Sequence, residues 1–184
     1  MASNPAITSR LQSNALVGRV AELGSLGVIR TRMASPTKVS RKAFEEFAGV
    51  RWNAMNDMMA LSDIRSLTPV QRAAHLAYWY MSEAYNGGHE QFISNHADLD
   101  HFEVVQALEA VGAVEQAGIL RDFLAAVTAS PSGASRTVLD YLEHGPGVDS
   151  SRHDAAFGSC ERSVETCLED YLAKHESEFI EWTP

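Results

Sequence analysis

Glu161, Glu165 and Glu169 recur every four residues near the end of the chain, and Asp170 and Glu176 follow them. On a helix, carboxylates four apart lie on one face and rise about 6 Å along the axis. Like charges at that spacing repel by a few tenths of a kcal/mol per pair. A sequence shaped for stability alone would interleave Lys, and here only Arg162 and Lys174 do so. Duplex DNA carries about one phosphate charge per 1.7 Å of axis, so rows of carboxylates from two or three helices can approximate part of that array. Asp98, Asp100, Glu103 and Glu109 supply a second row. Two readings stay open. One is a solvated face that keeps the protein soluble. The other is a surface that occupies the basic, nucleic-acid-binding face of a partner.

Other chemistry is sparser. His89, His96 and His101 lie near Asp98 and Asp100, which allows a metal site. Their spacings of seven and five do not put them on one helical face and lack the i, i+4 step of helical zinc motifs. No metal and no cofactor is therefore expected. His144 and His153 read as surface residues. No nucleophile elbow, phosphate-binding loop or dinucleotide fingerprint is present, and Gly158-Ser159-Cys160 falls inside a helical pattern, so no catalytic residue is assigned. The two cysteines, Cys160 and Cys167, read as seven residues apart on one helix, about 10 Å of rise, which is too far for a disulfide. Reduced thiols fit a cytoplasmic protein.

Asn86-Gly87-Gly88 reads as a helix stop and a sharp corner, because Gly adopts left-handed backbone without a side-chain clash. The corner sits in a longer pattern: Glu83, then Asn86-Gly87-Gly88, then Gln91, Phe92 and Asn95, followed by Ala107, Leu108, Val111, Gly112 and Ala113. This pattern resembles the signature of a small bacterial family of DNA mimic proteins, over about residues 67–179. His89 stands where that family usually has an aromatic, and Tyr85 where a second Asn is common. The resemblance implies a homodimer that binds the DNA-binding surface of a transcription factor. It implies a structural role for the signature and does not match the acidic residues one by one.

The length of 184 residues suits one ordinary domain with a sizeable core. Apolar residues at 45% and charged residues at 21% fit a folded, water-soluble chain. No apolar run approaches the roughly 18 residues that span a membrane. The net charge of −9 is uneven. Residues 1–51 carry eight Lys/Arg against three acids, a balance of +5, and the rest of the chain carries −14. Such a field repels nucleic acid and favours basic partners.

Residues 1–39 read as a basic N-terminal extension or loosely packed helix, with Ile7, Leu11, Leu16, Val20 and Leu23 as a loose stripe. A transit peptide and an arm packed on the acidic body both fit that composition. Residues 40–184 read as an acidic all-α domain. Ser40 is the expected cap of a helix to Leu61 that offers Phe44, Phe47, Met55, Met58 and Met59 to the core. Thr68-Pro69 starts the next helix, whose consecutive Tyr78, Trp79 and Tyr80 mark it as central. A short helix follows the corner. Asp98 or Asp100 caps another, Gly112 ends or kinks it, and helical periodicity resumes from Val114. A short helix is expected over residues 135–144. A last long helix, capped by Asp154, carries Phe157, Val164, Cys167, Leu168, Tyr171 and Leu172, and Phe179, Ile180 and Trp182 tuck the end against the body. No alternating strand and no internal repeat is visible. The expected fold is an all-α, single-domain bundle of about seven to nine helices.

The function expected from these residues is non-enzymatic. The acidic chain would bind the basic surface of a DNA-binding protein, contact no nucleic acid itself, and compete with DNA. A stoichiometric, immunity-type inhibitor of a toxin or nuclease is an alternative with the same electrostatics. A metal-dependent enzyme using residues 89–101 is the alternative from another class.

Overall fold

The computed structural model describes residues 33–47, 49–129 and 148–184. All of them lie in the compact unit Thr31–Pro184. The apolar stripe read over residues 7–23, the helix expected over 135–144 and His144 lie outside the described residues.

The chain is an all-α bundle. Among the described residues there are eight α-helices: α1 (Arg41–Glu46), α2 (Val50–Leu61), α3 (Pro69–Asn95), α4 (His101–Val111), α5 (Val114–Ala129), α6 (Ser151–Gly158), α7 (Val164–Lys174) and α8 (Glu176–Phe179). A short 3-10 turn, Ile64–Ser66, precedes α3. Helix α3 is the central element and packs against α2, α4, α6, α7 and α8. Its Tyr80 and Phe92 are fully buried, as the run of aromatics on several faces requires.

Several helix ends follow directly from side-chain chemistry. The Thr68 hydroxyl accepts from the Gln71 N–H (3.2 Å), and the Gln71 side chain accepts from the Thr68 N–H (2.9 Å). This capping box, with Pro69 at the first helical position, satisfies donors that would otherwise be orphaned. Asp100 caps α4 by accepting from the Phe102 N–H (3.0 Å). Gly112 ends α4 in the left-handed conformation at φ 88°, and the Ala113 N–H closes the turn on the Leu108 carbonyl (2.8 Å).

Four expectations are corrected. Ser40 caps only the short α1, through the Ala43 N–H (3.2 Å). Phe47 then takes extended backbone and its ring lies over Gly49, where a Cβ would meet it at 2.5 Å. Phe47 is accordingly 55% exposed rather than part of the core. Second, two short strands exist: β1 (Thr37–Ser40) pairs in parallel with β2 (Ile180–Thr183), Thr37 opposite Ile180. This pairing helps hold the chain end, where Phe179 and Ile180 are buried.

Third, the last helix is two helices. Ser163 accepts from the Thr166 N–H (3.1 Å) and starts α7 afresh. The connection before it is held by Gln116, whose side-chain N–H donates to the Arg162 carbonyl (2.5 Å). Glu161 therefore lies in a turn and not on the helix of Glu165 and Glu169. Cys160 and Cys167 do not share a helix either, and both are free thiols. Fourth, Asp154 does not cap a helix by its side chain. It lies within α6 and bonds elsewhere.

Candidate functional site

The corner at Asn86-Gly87-Gly88 is a break inside α3. Gly87 and Gly88 leave helical geometry, and Gly88 sits at φ 76°, ψ −170°, a conformation that essentially only Gly adopts. The helix resumes at once, so Glu83 falls before the break and Gln91, Phe92 and Asn95 fall after it. Glu83, on the first half, is the acceptor that joins them. Its carboxylate receives the Gln91 side-chain N–H (2.6 Å) and the Asn95 side-chain N–H (2.9 Å) from the second half. These bonds, that of Gln91 foremost, hold Glu83 below its ordinary carboxylate range. Phe92 fills the core beneath them, while Asn86 is exposed.

The other side of the break is fastened to α6. The His89 backbone N–H donates to Asp154 Oδ1 (2.9 Å), and His89 Nδ1–H donates to the same oxygen (2.6 Å). With Nδ1 carrying the proton, Nε2 accepts from the Tyr80 hydroxyl (2.9 Å). Ser150 donates to Asp154 Oδ2 (2.7 Å). Burial pushes the Asp154 carboxyl up, but the bonds from His89 and Ser150 outweigh it and leave it below its ordinary value. Burial lowers His89 despite this carboxylate. Burial also raises the Tyr80 phenol. A Cβ on Gly88 would meet the Asp154 carboxylate at 2.7 Å, so the glycine is required twice, for its φ and for this approach.

In this Tyr–His–Asp–Ser chain, His89 and Tyr80 are fully buried. The chain works as a latch between α3 and α6. His153 corrects the surface reading: it is only 5% exposed, with its ring 5.1 Å from Phe123 and 5.9 Å from His89. His75 packs at a tilt against Trp79 (4.1 Å), and Trp79 stacks on His96 (5.1 Å). His96 lies 3.5 Å from Glu83, and His101 lies edge-on to Phe92 (5.5 Å). Among the described residues no three His, Cys, Asp or Glu side chains are grouped to hold a metal ion. His89, His96 and His101 are thus separate members of an aromatic network.

The acidic candidates divide. Glu103 forms a two-pronged pair with Arg72, one contact of which is 2.6 Å. Glu176 accepts Arg51 through Nε (2.9 Å) and Nη2 (2.7 Å), and also the Trp182 indole N–H (2.8 Å). Both carboxylates are half-buried and fasten elements together. Asp100 is a helix cap. Asp170 is exposed and pairs with Arg162 (2.5 Å), and Glu169 accepts from the Trp52 indole (3.3 Å). Glu161, Glu165 and Asp98 are exposed and in no ion pair among the described residues. Sequence reasoning did not single out Tyr80, Ser150 or Asp154 as one unit, nor Arg51 and Trp52 beside the acidic face. Only Tyr80's place in a central helix hinted at the first.

The body is α-helical, its central helix is broken and latched to α6, and exposed carboxylates without a cationic partner among the described residues stand on its surface. The chain belongs to the DMP19-like protein family, whose model matches residues 65–175. DMP19 is a family of DNA mimic proteins. The match runs from the turn before α3 to the end of α7 and includes the break and its latch. No curated protein and no solved structure matches the chain.

Proposed function

We propose that the chain is a DNA mimic that occupies the basic DNA-binding surface of a partner protein, such as a transcription factor, and competes with DNA for it. The observation that carries this reading is the set of exposed carboxylates around α7: Glu161, Glu165, Glu169 and Asp170 lie within ten residues, and the first two have no cationic partner among the described residues. A fold that spends Glu103 and Glu176 on internal pairs leaves these four outward. Membership of the DMP19-like family supports it. Asp98, beyond the end of α3, is also exposed and in no ion pair among the described residues. The chain itself contacts no nucleic acid, works as a homodimer in the cytoplasm, and acts on transcription through its partner. No helix among the described residues is long and apolar enough to cross a membrane.

The test is capture from a native lysate at low salt with elution by a salt gradient. A second bait carries Glu161→Lys, Glu165→Lys, Glu169→Lys and Asp170→Lys. A DNA-binding protein retained by the first and not by the second is the expected result, with elution at moderate salt because exposed charges are screened. Retention unchanged by salt, or equal on both baits, would falsify the reading. Capture of a nuclease or toxin instead would make the chain a stoichiometric inhibitor.

A further inference from the structure

Two neighbouring carboxylates are built alike, and one of them lacks a component. Glu176 accepts the indole N–H of Trp182 and the guanidinium of Arg51, and that guanidinium lies over the Phe44 ring, 4.8 Å from its centroid. The result is a cation held between a carboxylate and an aromatic face. Glu169 accepts the indole N–H of Trp52, whose ring leans on Tyr78 at 5.9 Å. Among the described residues no guanidinium or ammonium reaches Glu169. In its place is a cavity of about 340 Å³ between α2 and α7, lined by Arg51, Trp52, Glu169, Asp170, Leu172 and Ala173.

We propose that this cleft seats a single arginine side chain of the partner protein, with its guanidinium on Glu169 and against the Trp52 indole. The surrounding charges select that occupant. Arg51 is neutralised by Glu176, and Asp170 is engaged by Arg162 (2.5 Å), which leaves Glu169 as the charge of the cleft without an ion-pair partner among the described residues. An anion is refused by the two carboxylates. A planar guanidinium can stack on the indole and donate in a fork to Glu169, which a lysine ammonium cannot. Leu172 and Ala173 offer apolar surface to the three-carbon stem. The inference rests on the mimic reading above and adds one specific contact to it.

The probe is N-acetyl-arginine amide, titrated into ¹⁵N-labelled protein while the Trp52 indole N–H resonance is followed. The isosteric N-acetyl-citrulline amide and N-acetyl-lysine amide are the comparisons. The expected result is a saturable shift of the Trp52 signal with arginine, about tenfold weaker binding with lysine, and none with citrulline. Glu169→Gln, an exposed change that leaves the fold intact, abolishes the shift. An unmoved Trp52 signal, or equal shifts with citrulline, overturns the proposal. The two readings fail separately. If arginine shifts Trp52 but no DNA-binding protein is captured, the cleft stands and mimicry falls. If a DNA-binding protein is captured equally by wild type and Glu169→Gln, mimicry stands and the cleft falls.

Discussion

Asp154 and Glu165 lie eleven residues apart in the chain and do opposite things. Asp154 faces inward and collects the backbone and ring of His89 and the Ser150 hydroxyl. Glu165 faces water and is in no ion pair among the described residues. The contrast extends to whole regions. Around the α3 break, Glu83 and Asp154 are each saturated by several donors, and their negative charge is spent on shape. Around α7, Glu161 and Glu165 are exposed with no cationic partner among the described residues. A count of acids treats the two alike. Hydrogen-bond saturation separates them: the carboxylates of the break hold the fold together, and those of α7 are the ones our proposal turns to binding.

The sharpest way to break that assignment is at Gly88. Gly88→Ala forces a Cβ into a backbone conformation that essentially only Gly adopts, at about 1–3 kcal/mol, and drives it against Asp154. The displaced carboxylate leaves the buried His89 N–H groups unsatisfied, at a further 1–3 kcal/mol or so. We expect a loss of about 3 kcal/mol or more in urea unfolding. Gly112→Ala is the internal control. Gly112 has φ 88°, but a Cβ there meets nothing within 4 Å, so only the backbone term of about 1 kcal/mol remains. Equal losses at the two positions would show that the latch to Asp154 contributes nothing.

The second effect is on pH dependence. His75, His89, His101 and His153 are all held below the usual imidazole value, chiefly by burial, with His75 pushed down to about 4. Arg72 and His96 add to the burial at His75. The unfolded chain's imidazoles titrate near 6.5, so between that value and about 4 the unfolded state binds more protons. Stability is complete above about pH 6.5 and is lost as pH falls below it. For His75 alone the full shift is worth about 3 kcal/mol. The urea midpoint is expected to drop steeply between about pH 7 and pH 5, and His75→Phe flattens the drop by about one proton. A flat profile would mean that the imidazoles are not buried in solution.

Much of this scaffold was legible in the residues, because its signals are local. Thr68-Pro69, Asp100 and Gly112 place helix ends through contacts no more than five residues away, and Gly87-Gly88 marks the break for the same reason. The rest depends on partners far apart in sequence. Asp154 has a cap-like position, and nothing near it shows that its ligand is His89, 65 residues earlier. β1 and β2 are four residues each, too short for alternation to register, and they pair from opposite ends of the described chain. Phe157 and Val164 are seven apart, so in the sequence one apolar stripe runs across the turn after which Ser163 starts a new helix. The acidic site was half legible. The charges were visible, but which of them were already spent was not.

The smallest effect on stability belongs to the residues with the largest expected effect on binding. Glu165→Lys removes a carboxylate that bonds to nothing described, and surface changes of this kind stay within about 0.5 kcal/mol. It also places Lys four residues before Glu169, an i, i+4 pair of opposite sign that offsets part of any loss. Glu176→Ala strands the Arg51 guanidinium and the Trp182 indole N–H in a half-buried setting, and is expected to cost about 1–2 kcal/mol. For capture of a basic partner the order reverses: Glu165→Lys weakens it, and Glu176→Ala leaves it nearly unchanged at temperatures where the variant stays folded. Measuring both variants by urea unfolding and by low-salt capture gives four numbers with two opposite rankings. If the rankings coincide, the carboxylates of α7 are structural after all, and the division between spent and free charge does not mark the binding face.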